Sequence, residues 1–132
     1  ELASVGTGDV AVHANTIILW GKGAKQRIVR YGPHTASLLT EYLGELPVPG
    51  ATLFGLKPRG ISILLYRLGK ATGIKCNAHS FRRTFATESV RNGMNLFHVQ
   101  SLLGHSSLTM TRIYAEQVNS EDAIKAYKPI VR

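Results

Sequence analysis

The apolar residues of this chain keep two different periods, and each period names a different kind of element. Thr16-Ile17-Ile18-Leu19-Trp20 is a β-branched, apolar run, and residues 26–31 place Arg27, Val29 and Tyr31 in alternation with Ile28 and Arg30. Gly21-Lys22-Gly23-Ala24-Lys25 lies between them and can turn the chain sharply, which predicts two strands joined as a β-hairpin. Residues 9–13 are a candidate third strand. From residue 34 the spacing becomes helical: Leu38, Leu39, Tyr42 and Leu43 share a face over 34–46. Pro47-Val48-Pro49-Gly50 ends that helix, and Leu53-Phe54 reads as a very short strand. Ile61, Leu64, Leu65 and Leu68 fall at i, i+3, i+4 and i+7, so 59–71 is a predicted helix. The next helix starts at Asn77 or Ala78, carries Phe81, Phe85, Ala86 and Val90 as candidate core positions, and stops at Asn92-Gly93. Leu96, Val99 and Leu103 mark another, closed by Gly104, and Ser106 is a plausible N-cap for a helix over 107–114. Ala123, Ile124 and Tyr127 suggest a final helix before Pro129. The predicted fold class is α+β: a mostly helical domain with a small antiparallel sheet of two to three strands near the N-terminus.

Composition narrows the class. A chain of 132 residues can close one compact domain around a core. Hydrophobic residues at 44% and charged residues at 18% belong to a globular chain rather than a disordered one. No apolar run approaches the roughly 18 residues a membrane span needs, and no secretory signal is visible. Cys76 is the lone cysteine and has no partner for an intramolecular disulfide, so a reducing, cytoplasmic setting is the simplest expectation. Charge changes the picture most. Sixteen Lys and Arg against eight Asp and Glu leave a net charge of +8 and a pI near 10.0, which favours a polyanionic partner such as nucleic acid.

Several side chains have chemistry that fits such a partner. His79 and Arg82 are three apart on a predicted helix and so share a face. An imidazole can move a proton near neutral pH, and a guanidinium can fork onto two phosphate oxygens. The same pair is also what an ordinary solvated helix face would show. His105 follows the capping Gly104, where it either donates to a phosphate or caps carbonyls at the end of the helix at 96–103. Tyr114 reads as a half-buried packing group or as a nucleophile. With a phenol pKa of about 10, only about one molecule in a thousand is phenolate at pH 7, a deficit of roughly 4 kcal/mol. A base and nearby guanidinium charge can offset it. Lys22, between two glycines at a turn tip, is either an exposed turn lysine or a general acid reaching an alkoxide leaving group. A phosphate-binding P-loop is excluded, since Gly23 stands where Ser or Thr should follow the lysine. Cys76 and His79 have ligand-like spacing, but no second pair completes a metal site.

The order of these groups is more specific than any one of them. GKGAKQRIV at 21–29, HSFRRTFAT at 79–87, LLGHSS at 102–107 and TRIY at 111–114 resemble the catalytic domain of the tyrosine recombinase (phage integrase) family, over about residues 1–127. The resemblance implies that Tyr114 attacks a scissile DNA phosphate, leaving a 3′-phosphotyrosine and a free 5′-hydroxyl. It implies that Arg82 grips the non-bridging oxygens and that His79 acts as acid and base. His105 would hydrogen-bond the phosphate, and Lys22 would protonate the departing oxygen. No metal, ATP or other cofactor is required, because the phosphodiester energy is kept in the protein–DNA bond. Lys25, Arg27, Arg83, Lys57 and Arg59 are candidate DNA contacts.

Two departures from the family's pattern stand out. Relatives carry a second Arg just upstream of a Glu-Leu pair, with two residues intervening. Glu1-Leu2 resembles that pair, so the Arg would precede this chain. Arg83 stands where many relatives have a second His. The expected organisation is therefore one catalytic domain, residues 1–132, without its first helix and without the family's upstream DNA-clamping domain, and inactive by itself. Double-stranded DNA is the expected partner and a homotetramer on DNA the expected assembly. The terminal helix would dock either in cis or on a neighbouring protomer. The alternative is a DNA-binding module without catalysis, or an inactive competitor for DNA sites. In that reading the helices at 79–91 and 96–103 pass for a helix-turn-helix.

Overall fold

The sheet forms where the β-branched residues lie. In the computed structural model, which describes residues 1–46, 52–104, 124, 125, 127 and 129, strand β2 (Thr16–Trp20) pairs antiparallel with β3 (Gln26–Arg30). Their register sets Ile17 opposite Val29 and Leu19 opposite Arg27, so the inward positions of β3 are Arg27 and Val29, while Ile28 points out. Strand β1 (Val10–Ala11) pairs with the far edge of β2, giving the order β1-β2-β3. The third strand is shorter than the predicted 9–13. The chain turns away into a 3-10 turn over Val12–Ala14 that ends on Asn15 in the left-handed region, φ 53°. An Asn tolerates that conformation better than most residues. Its carbonyl accepts from the Tyr31 amide at 3.0 Å, which fixes where the chain leaves the sheet.

Four α-helices lie among the described residues: α1 (Pro33–Glu45), α2 (Pro58–Thr72), α3 (Ala78–Arg91) and α4 (Leu96–Leu103). Pro33 opens α1 at its first position, where a missing N–H costs nothing. Gly104 closes α4 at φ 69°, a left-handed cap that a Cβ would disfavour. The chain divides into two compact units, Glu1–Leu64 and Leu65–Arg132. In the first, Val5, Leu39 and Leu53 are the buried centre, with Val10, Ile17, Leu19, Tyr31, Tyr42 and Leu43 packed around them. Leu53 is only 1% exposed, and the Tyr42 hydroxyl donates to its carbonyl at 2.8 Å. In the second, Ala86, Val99 and Leu103 join α3 to α4, with Val90 against them.

Two expectations are corrected here. Leu53-Phe54 is not a strand: the segment makes an isolated bridge between Thr52 and Gly6 and a hydrogen bond from the Leu53 amide to the Val5 carbonyl. Of the predicted helical faces, Leu38, Leu64, Leu68, Phe81 and Phe85 are all exposed. Helical period determines which residues share a face, but the width of the covered strip depends on the neighbours that pack there. The helices expected at 107–114 and from residue 120 fall on segments largely outside the described residues.

Candidate active site

The hairpin turn carries the first group. Between β2 and β3 the chain makes a 3-10 turn, Lys22–Ala24, and the Gly21 amide donates to the Lys25 carbonyl at 2.8 Å to close it. Gly23 takes φ 71° and Ala24 φ 57°. The second value is strained for a residue with a Cβ. Lys22 and Lys25 are both exposed on this turn. Arg27, two residues on, faces inward and meets the Glu1 carboxylate in a bidentate pair, Nη1 to Oε1 and Nη2 to Oε2, the latter at 2.7 Å. These hydrogen bonds raise the Arg27 pKa above its ordinary value, against partial burial and helped by the carboxylate's charge. An expected phosphate contact is thus engaged by a carboxylate of its own chain. Lys57 and Arg59 are exposed at the start of α2.

The second group stands on α3, and its first turn is unusually well pinned. Asn77 accepts from the Ser80 amide at 2.7 Å, while the Ser80 hydroxyl accepts from the Asn77 amide at 3.0 Å. This reciprocal cap satisfies orphan donors at both residues. It brackets His79, an exposed residue on the first turn, and holds the entry of the helix that carries Arg82. One turn further, Arg82 is half-buried and donates from Nη2 to the Leu103 carbonyl at 2.5 Å. Leu103 is the last residue of α4, whose terminal carbonyls have no helical partner and form the negative end of the helix dipole. The contact therefore places a positive group where the backbone favours one. It uses only part of the fork: among the described residues, buried Arg82 Nε finds no hydrogen-bond partner. Arg83 points to solvent beside it.

The structure thus joins two separated motifs, HSFRRTFAT and LLGHSS, inside the second unit, through a guanidinium–carbonyl bond from Arg82 to Leu103 and the packing of Ala86 with Leu103. Lys22, Lys25 and Arg27 belong to the hairpin of the first unit. His105 and Tyr114 lie outside the described residues. Sequence reasoning missed the Glu1–Arg27 pair, which has no local signal because the partners are far apart in the chain. It also missed the Asn77–Ser80 cap, which was readable as Asn followed three residues later by a hydroxyl.

Residues 1–121 match the model of the phage integrase family. The chain is 35% identical over 138 residues to tyrosine recombinase XerC of Bradyrhizobium diazoefficiens, covering 96% of this chain and 41% of that protein. The fold is similar to that of XerA recombinase, with a TM-score of 0.79 and 29% identity over 96% of this chain and 50% of the other. It is also similar to XerH site-specific recombinase bound to a palindromic difH substrate after cleavage, with a TM-score of 0.76 and 31% identity over 95% of this chain and 39% of the other. The chain spans about half or less of the length of each of these relatives.

Proposed function

The chain belongs to the phage integrase family, and from that premise we propose that it is the catalytic domain of a site-specific tyrosine recombinase acting on double-stranded DNA. The Tyr114 hydroxyl attacks the scissile phosphorus, and the Tyr O–P bond forms as the P–O5′ bond breaks. The phenol's proton passes to His79, and Lys22 gives one to the departing 5′ oxygen. Arg82 and His105 neutralise charge on the non-bridging oxygens. Attack by the 5′-hydroxyl of a partner strand then reverses the step and releases Tyr114. The catalytic effect comes from position and charge around a five-coordinate phosphate, and each fixed donor of this kind contributes about 3–4 kcal/mol.

One observation carries this reading: Arg82 is a half-buried guanidinium anchored by the Leu103 carbonyl, with its Nε buried and unmatched among the described residues. A buried cationic donor without an acceptor is costly, and an anion in reach of that fork offsets the cost. The same bond ties Arg82 to the stretch that continues into His105. In the whole protein we place a DNA-clamping domain before this chain, together with the second phosphate-binding Arg. Homotetramer assembly on DNA belongs to the same proposal.

The test is covalent trapping. Full-length protein is incubated with nicked suicide duplexes made from fragments of its own genome, and the DNA left on the protein identifies the cleavage site. Adduct should form on Tyr114 and disappear in Tyr114→Phe. Undiminished adduct in that variant refutes the assignment. DNA binding that is salt-sensitive but never yields adduct supports the non-catalytic reading instead, in which α3 and α4 serve only as a DNA-binding helix pair.

A further inference from the structure

We propose that Arg27 and Glu1 together form a positioning device for Lys22, a role that rests on the assignment of Lys22 as the acid for the leaving oxygen. The pair lies directly over the residue that precedes Lys22. A Cβ placed on Gly21 would lie 3.5 Å from Glu1 Oε1 and 3.7 Å from Arg27 Nη1. The forked contact therefore lies beside the base of the turn, and the Gly21–Lys25 hydrogen bond of 2.8 Å closes the turn. The apex needs such support. Ala24 is held at φ 57°, and a strained backbone of this kind persists only where its surroundings over-determine it. Arg27 itself cannot drift: its side chain is 16% exposed, and its β3 position is paired with Leu19 of β2. Bidentate Arg–carboxylate contacts fix direction as well as distance, which a lysine ammonium does not reproduce. A Cβ at Gly21 would meet both partners, and the Lys25 carbonyl oxygen at 3.5 Å, at ordinary van der Waals distance, so the pair flanks the base of the turn without crowding it.

The chemistry offers a selective readout. When the scissile 5′ oxygen is replaced by sulfur, the leaving group departs as a thiolate and needs no proton. A defect in delivering the Lys22 proton is therefore repaired by a 5′-bridging phosphorothiolate duplex, whereas a defect in folding or phosphate binding is not. Using full-length protein and the site identified by trapping, Lys22→Ala should lose about 100-fold or more on the ordinary phosphodiester and recover on the sulfur substrate, as expected for loss of a general acid. Arg27→Gln should lose about tenfold on the phosphodiester and also recover on sulfur. Arg27→Lys should fall between wild type and Arg27→Gln. The exchanged pair Glu1→Arg with Arg27→Glu should restore part of the phosphodiester rate.

An equal loss on both substrates in Arg27→Gln overturns the proposal, because it marks a general structural or phosphate-binding role. So does an unchanged phosphodiester rate. If Lys22→Ala is not repaired by sulfur, Lys22 is not the acid and nothing is left for Arg27 to position. Cleavage that survives Tyr114→Phe overturns the recombinase reading itself and is distinguishable from all of these.

Discussion

Gly69→Ala poses two physical effects of opposite sign on one atom. Gly69 lies in the last turns of α2, where Ala is the better helix former by about 1 kcal/mol. A Cβ built there would sit 2.9 Å from the Ile74 carbonyl oxygen, 3.3 Å from the Cys76 amide nitrogen and 3.6 Å from the Cys76 Cβ. The two nearest atoms are backbone, so no rotamer change removes the overlap, and the returning segment or the helix must shift. Such overpacking costs about 1–3 kcal/mol. The steric term should win, with a net loss of about 1 kcal/mol. Gly60→Ala is the matched control on the same helix. Its nearest neighbour is a terminal methyl of exposed Leu56 at 3.4 Å, which can move aside. That variant should gain up to about 1 kcal/mol. Urea unfolding of the two variants, read as midpoints at unchanged slope, should separate them by about 2 kcal/mol. A Gly69→Ala protein as stable as Gly60→Ala would show that the contact with residues 74–76 yields freely. The consequence reaches function, because that segment leads into Asn77, the cap of the helix that carries His79 and Arg82.

Other consequences can be measured alongside. Asn77→Ala removes the acceptor for the Ser80 amide and should cost about 1 kcal/mol in the same unfolding assay, while Asn77→Asp should retain most of it. Among the described residues the buried Tyr31 hydroxyl has no hydrogen-bond partner, so Tyr31→Phe should be neutral or stabilise by about 1 kcal/mol, and a clear destabilisation would reveal an acceptor. DNA binding by the whole protein should weaken linearly on a log–log plot against salt, and Lys25→Ala should reduce the slope by about one if that exposed lysine meets a phosphate.

Much of this protein was legible along the chain. β-branched runs around Gly21-Lys22-Gly23 specified the hairpin, Gly104 marked the end of α4, and the start of α3 was narrowed to Asn77 or Ala78. These signals work because a turn, a cap or a helical face is decided by residues within a few positions of one another. The four spaced motifs showed the family for a related reason: their order survives in the linear text whatever the packing does.

Contacts made at a distance were decided only by the folded chain. Leu38, Phe81 and Phe85 keep the spacing of core residues yet stay exposed, since coverage depends on which neighbours arrive. Arg27 looked like one more free cation, but it meets Glu1 across 26 positions. Arg82 finds the Leu103 carbonyl across 21 positions, joining two motifs that the sequence shows only as separate words. No periodicity encodes such pairings. They exist because burying Ala86, Val99 and Leu103 in one place, and Val5, Leu39 and Leu53 in another, fixes backbones close enough for charged and polar groups to find each other.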